Sequence, residues 1–362
     1  SADGILDAAF TPNLGGPVSA LALQADGRVL VGLATGSGQP PRRIVRLNPD
    51  GSVDASFTGP ASAAGAVENI TALAVQPDGR VLFISRVQIT GNLFYSVSRL
   101  NANGTPDETF AAFNNRDAPI SSLALQTDGR ILLGGSLSPG GLIAASPLVR
   151  LNPNGTVDPS FNLAPNGPVT ALGLQFDGRL MIGGSFTSVG GLTRVGLARL
   201  TATGQVTQSL GVTADRRTVI WNRTGTGGEL SAVVFEQSSD RVAWARLGFG
   251  TRVGSSGNWQ VTGLSLPATG VFYVRARGIA PSSAGTSSGL YESVRELTFT
   301  SPVPGVTASL DEPLVRPAMP AQTAAAPAFI FDAFTGIAPR SALSVIPGEG
   351  TVEIIVASHL QT

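Results

Sequence analysis

The chain has 362 residues, with 45 Gly, 25 Pro, no Cys and one His, and its 24 basic residues balance 24 acidic ones. A formal charge of zero leaves no cationic excess for phosphates, which excludes nucleic acid as the main partner; the lack of Cys removes disulfides, thiolate nucleophiles and Cys-ligated metals together. With 42% apolar and 13% charged residues the composition is that of an ordered β-rich protein of two or three domains, and no run of about 18 apolar residues is present to span a membrane as a helix.

In chain order, the opening "SADG" reads as a mature end left after cleavage of an export signal. "DGILDAAF" (3–10) then reads as the tail of a unit whose front is missing. "LALQADGRVL" (21–30) follows, and returns as "LAVQPDGRVL" (73–82), "LALQTDGRIL" (123–132) and "LGLQFDGRLM" (172–181). The turn glycines Gly27, Gly79, Gly129 and Gly178 are 52, 50 and 49 residues apart. A period near fifty points to a propeller or a related β array. A closing phrase travels with each copy: "RLNPDGSVDASF" (46–57), "RLNANGTPDETF" (99–110), "RLNPNGTVDPSF" (150–161) and "RLTATGQVTQSL" (199–210). The fourth keeps its Arg and has lost its Asn, Asp and Phe.

Each unit predicts at least three short strands, about 18–24, 28–34 and 42–48 in the first copy, with a weaker fourth near "VDASF". The Asp-Gly-Arg segments suit a type I turn followed by a left-handed Gly, the three-residue hairpin with a Gly bulge. No stretch carries a helical stripe of apolar residues.

The phrase L-x-Q-x-D-G-R, followed by R-L-N-x-D/N-G-x-x-D-x-S-F, resembles the delta-60 repeat over residues 3–210; "LQFDGRLMIGGSFTSVGGLTRVGLARL" (174–200) is the best copy. The resemblance implies a bacterial β-propeller repeat of large exported proteins, a family with no established catalytic activity. Beyond residue 210 the repeat stops. "TVIWNRTG" (218–225) and "WQVTGLSLPATGVFYVRARGI" (259–279) resemble the fibronectin type III pattern over about 211–300. The apolar phase Phe272, Val274, Ala276 turns Tyr273 to the other face. Residues 301–328 are a Pro- and Ala-rich linker. Residues 329–362 hold "FIFDAF" and a hairpin around "PGEG" that is marginal alone and must dock on its own domains or on a neighbour. The expected fold is therefore all-β: a propeller-like array of four blades of about fifty residues, a fibronectin III- or Ig-like sandwich, and an extended tail ending in a hairpin.

Candidate sites were weighed against plain structural roles. The sole His359 lies four residues from the end, which argues against a Ser-His-Asp triad or a His-based metal site. Asp26, Asp78, Asp128 and Asp177 recur in turn positions, where a carboxylate bonds turn amides. Asn48, Asp50 and Asp54 offer oxygens, but Gly follows the third of them, not the sixth place of a calcium loop. The repeated arginines, Arg28 and Arg46 and their counterparts, read as turn braces before they read as an anion channel. The expected protein is thus an exported, non-enzymatic subunit without cofactor or metal, at the cell surface or outside the cell. It would associate with copies of itself by strand addition through Ile5, Leu6, Phe10, Phe329, Phe331, Val352, Ile354 and Val356. The alternative is a surface module that binds a glycan or protein; a hydrolase on a propeller scaffold is the least favoured reading.

Overall fold

The computed structural model describes residues 6–35, 43–60, 67–89, 91–137, 146–175, 177–201, 204–267, 269–280 and 290–299, and the backbone of 344–348 and 351–355. Every element among these residues is a strand, and no helix is long and apolar enough to cross a membrane. The first unit folds as β1 (Val18–Leu23), β2 (Val29–Thr35) and β3 (Ile44–Leu47). The second comprises β4 (Val67–Val75), β5 (Val81–Ile89) and β6 (Asn92–Leu100), with β7 (Phe113–Arg116) added beside β6. The third holds β8 (Ile120–Leu125), β9 (Ile131–Gly135) and β10 (Leu148–Leu151). The fourth holds β11 (Val169–Leu174), β12 (Leu180–Gly184), a small hairpin of β13 (Ser188–Val189) and β14 (Leu192–Thr193), and β15 (Leu197–Leu200). All pairings are antiparallel, as a meander of short hairpins requires. These units are propeller-like blades, packed in succession along their inner strands, β1 on β4, β4 on β8 and β8 on β11.

The weak fourth strand of the first three blades is reduced to a single bridge: Leu47 to Val53, Leu100 to Pro106 and Leu151 to Val157. The reason is local. Asp54, Asp107 and Asp158 turn the chain immediately after the bridge, each accepting the amide two residues on. In the second unit, where "FISRVQITG" replaces the Gly-Gly-Ser-Phe, β5 and β6 run on into an unbroken ladder from Val81↔Leu100 to Ile89↔Asn92.

The repeated hairpin turn takes the expected form. Gly27 has φ +83° and donates its amide to the Gln24 carbonyl at 3.0 Å, while the Gln24 amide donates to the Arg28 carbonyl at 2.9 Å. Asp26 accepts the Arg28 amide at 3.1 Å and pairs with its guanidinium at 2.8 Å.

Beyond the four blades the chain forms a sandwich. One sheet holds β16 (Val206–Val212), β17 (Val219–Gly225), β21 (Trp259–Val261) and β20 (Thr251–Arg252). The other holds β19 (Ala245–Phe249), β18 (Ala232–Ser238), β22 (Gly270–Ile279), β23 (Leu290–Phe299), β25 (Thr351–Ile355) and β24 (Ser344–Gly348). Between them Trp221, Trp259, Val219 and Leu210 meet Phe235, Val274, Ala276 and Tyr291, all buried. Phe272, Val274 and Ala276 point inward as the alternation predicts; Tyr273 lies half-buried on the other face with Arg241 over its ring at 5.2 Å. β16 starts at Val206, so the fourth closing phrase leaves the array and becomes the first strand of the sandwich, ahead of the boundary expected at residue 210.

Blade packing depends on backbone approach at the closing turns. Gly104 has φ +89°, and a Cβ there would sit 2.8 Å from the Gly59 amide and 2.9 Å from the Thr58 amide. Gly91 has φ +85° with nothing within 4 Å. Gly91→Ala therefore costs only the left-handed penalty of about 1 kcal/mol. Gly104→Ala adds a clash with backbone and costs at least about 2 kcal/mol more. Urea unfolding of the two variants side by side measures the difference.

Candidate interaction surfaces of the blade array

Each closing phrase builds one clamp. Arg46 donates to Asp54 at 2.7 Å, lies over the Phe57 ring at 4.9 Å, and reaches forward to the Ala102 carbonyl of the next blade at 2.8 Å. Arg99 repeats this with Asp107 at 2.7 Å, Phe110 at 4.6 Å and the Pro153 carbonyl at 2.6 Å. Arg150 pairs with Asp158 at 2.8 Å and covers Phe161 at 4.6 Å. The Arg of the opening turn joins the same carboxylate: Arg28 approaches Asp54 to 3.4 Å, and Arg80 approaches Asp107 to 3.5 Å. The Ser56 hydroxyl and amide and the Arg46 guanidinium hold the Asp54 carboxyl at about 2, against burial, which acts to raise it. For Asp107 the upward push of burial is the largest single influence, but the Thr109 hydroxyl and amide and Arg99 together outweigh it and hold the group at about 2.

Every blade has two unlike faces. The front carries Leu21 and Leu23 or their counterparts; the rear carries the small Ala20 and Ala22 with Leu30 and Ile44. Rear packs on front: Ala20, Ala22, Leu30 and Ile44 of the first blade meet Ile70, Leu73 and Phe83 of the second, and the pattern recurs at the next two junctions. Among the described residues the front of the first blade and the rear of the fourth are not covered in this way. Leu21 and Leu23 are 63% and 60% exposed, where Leu73 and Leu123 are 6% and 4%. On the rear of the fourth blade Leu197 is 60% exposed, where Ile44, Val97 and Leu148 are at most 1%. Ala171, Gly173 and Arg199 are exposed beside it, and Arg199 makes no hydrogen bond or ion pair among the described residues.

The N-terminal segment covers part of the open front. Phe10 and Leu14 pack on Val31, Leu33, Val45 and Leu47. A Cβ on Gly51 would lie 3.1 Å from the Phe10 ring and from the Thr11 amide, as one on Gly104 would meet Phe57 and Thr58. Asp7 accepts the Ala9 amide at 3.0 Å and its carbonyl takes Phe10 at 3.2 Å, the geometry of Asp54 with Ser56 and Phe57. Residues 6–10 thus occupy the place of a closing segment beside the first blade.

The sandwich is anchored on the third and fourth blades. Gln126 bridges Gly228, Thr127 donates to the Gly227 carbonyl at 2.8 Å, and the Tyr291 hydroxyl donates to the Leu174 carbonyl. Glu229 donates its amide to Leu125 and is buried beside Arg252 at 3.1 Å; burial pushes its carboxyl up, against the pull of Arg252 and Arg223. Facing the first two blades is a cleft of about 600 Å³ between Leu21, Leu23, Leu73 and Val75 and the sandwich residues Leu230, Arg252 and Ile279. Ser231 bonds the Ile279 carbonyl, Arg252 pairs with Glu229 and Asp26 with Arg28, whereas the Gln24 Oε1 in its wall is buried with no hydrogen-bond partner among the described residues.

Of the residues expected to mediate association, Phe10 is half-buried against the first blade and Leu6 is exposed. Val352 and Ile354 lie in β25, which pairs within its own chain, Ile354 opposite Leu290 of β23. Ile5, Phe329, Phe331, Val356, His359 and the 301–328 linker lie outside the described residues. Asn48 and Asp50, weighed as metal ligands, bond Ser52, and Asp54 is held by Arg46.

The four blades match one family. Residues 24–57, 76–110, 126–161 and 175–206 each match the domain of unknown function DUF5122, described as a beta-propeller. These stretches make up a little over a third of the chain, and each runs from the Gln before the hairpin turn into the closing phrase. No curated protein matches the chain. Among solved structures, a Lactobacillus plantarum protein from a structural-genomics programme is similar over 79% of this chain and 90% of its own, with 12% identity and a TM-score of 0.34.

The clamps make the blades acid-labile. Since Asp54 and Asp107 are held near 2, below an ordinary 3.8, their stabilisation is complete above about pH 4 and lost as the pH falls towards 2. Asp107→Asn leaves Arg99 buried without its anion and costs about 3 kcal/mol. Its urea midpoint at neutral pH falls accordingly, and its further loss on acidification is smaller than that of the unaltered chain.

Proposed function

We propose that the protein is a non-enzymatic structural subunit that associates with copies of itself at the cell surface or outside the cell. The observation that carries this is the rear face of the fourth blade, where Leu197 is exposed although its counterparts Ile44, Val97 and Leu148 are buried. Exposed apolar surface with a built complement on the same molecule is the mark of an association surface. The delta-60 likeness of the blades, the fibronectin III likeness of the sandwich and an exported location belong to this reading. They rest on the recurring phrases, on the buried Trp221 and Trp259, and on the Gly-rich, Cys-free composition. The C-terminal hairpin pairs within its own chain, so the reading leans on the array ends.

A second reading, a surface module that binds a small ligand, is favoured only by the apolar cleft between blades and sandwich, whose size suits one. Sedimentation velocity of the full chain across a concentration series separates the two. Concentration-dependent growth that Leu197→Glu suppresses is expected of the structural subunit. A chain that stays monomeric throughout defeats it and leaves the cleft as the place to look.

A further inference from the structure

The third blade holds an extended segment of the sandwich on its inner edge. Glu229 donates its amide to the Leu125 carbonyl at 3.0 Å, Thr127 donates its amide to the Gly227 carbonyl at 2.8 Å, and the Gln126 side-chain nitrogen donates to the Thr226 carbonyl at 3.0 Å. Gln126 and Gly228 face each other across an antiparallel bridge. Residues 226–229 thus add to β8 as a short extra strand. We infer that the first blade offers the same edge at Leu23, Gln24 and Ala25, and that the cleft beside it takes an extended peptide from another molecule.

The repeat puts the same groups in place. Leu23, Gln24 and Ala25 are the counterparts of Leu125, Gln126 and Thr127, and all three line the cleft. The backbone N–H of Gln24 is spent on the Arg28 carbonyl, so alternation along the ladder turns the Leu23 carbonyl away from β2, as it turns that of Leu125 away from β9. Gln24 and Gln126 both bury Oε1 without a partner. Gln126 gives its side-chain nitrogen to Thr226, whereas that of Gln24 has no partner among the described residues. The Leu23 carbonyl and the Ala25 amide have none there either.

This edge is not one that a neighbouring blade covers. Blades pack through their faces, and the second, with a blade on either side, also leaves its Val75 carbonyl unbonded among the described residues. The difference lies in the sandwich. It meets the edges of the third and fourth blades, where the Tyr291 hydroxyl donates to the Leu174 carbonyl, and stands back from the first two across the cleft. Pro77 stands in the place of Ala25 in the second blade and has no N–H to give. Of the two edges along the cleft, only the first has all three groups.

The site also selects a side chain. At the bridge of the third blade only Gly228 fits, since a Cβ there would lie 2.8 Å from the Tyr291 hydroxyl and 3.3 Å from Leu174. Among the described residues no aromatic ring lines the cleft, whose walls include Leu21, Leu73, Val75 and Ile279. A peptide with a large apolar residue at the bridge position therefore fits it, with its main chain on the edge of β1 and its side chain in the cleft.

This inference rests on the reading of the cleft as a ligand site, and the test separates the two. The probe is a blocked, fluorescein-labelled peptide GTGLALS, which is residues 225–231 with Leu at the bridge position and Ala in place of the acid. Fluorescence anisotropy reads its binding to the full chain. Ala25→Pro removes one donor, and Pro77 shows that the turn accepts proline; Gln24→Leu removes the other. Each variant is expected to keep the melting temperature and to weaken binding about fivefold, the worth of one hydrogen bond. The same peptide with Gly at the bridge position is expected to bind more weakly than the one with Leu. A peptide that does not bind at millimolar concentration, or that binds both variants as tightly as the unaltered chain, overturns the inference. If Nile red is then still taken up by the unaltered chain and not by Leu23→Glu, the cleft remains a site for a small molecule. If neither peptide nor dye binds, both readings of the cleft fail.

Discussion

A guanidinium laid on a phenyl ring, with one carboxylate holding its edge, is the unit on which the array depends. In Arg46, Arg99 and Arg150 the charge is nearly out of solvent, which is tolerable only because Asp54, Asp107 and Asp158 sit against it. The Phe contributes about 1 kcal/mol through its face and also shuts out water. Arg46 and Arg99 each spend one further nitrogen on a carbonyl of the next blade. The clamp therefore does two things at once: it ends its own blade and sets the spacing to the following one. Faces of Leu against faces of Ala then pack at a separation already fixed by hydrogen bonds.

The sandwich uses the same material differently. Where the fourth clamp would form, the chain turns away as β16 and buries Leu210 among tryptophans. The hairpin turn of the third blade, elsewhere solvent-facing, becomes a docking point for Gly227 and Gly228. Gly228 allows this, since a Cβ there would lie 2.8 Å from the Tyr291 hydroxyl. The buried Glu229, flanked by Arg252 and Arg223, ties this docking loop to the sandwich core, where Arg252 lies on Trp259 at 4.3 Å.

Much of this was legible in the sequence, because repetition carries its own alignment. The blades, their hairpins and the bracing role of Asp26 and Arg28 follow from four copies in register. The pairing of Arg46 with Asp54 and Phe57 was harder, since nothing in one copy says that residues eight and eleven apart meet. The signal was there in the fourth copy, which loses Asp and Phe together. The Glu229 cluster left no trace: its partners are 6 and 23 residues away and do not recur. Nor could the sequence reveal that Phe10 caps its own first blade, because a segment that closes a missing blade reads the same whether it is docked or free.

The absence of Cys allows a direct measurement. Leu197→Cys places a single thiol on the open rear face of the fourth blade. Its rate of reaction with a maleimide should fall steeply as the concentration is raised into the range where the chain associates. A rate that is the same at every concentration would contradict association through that face.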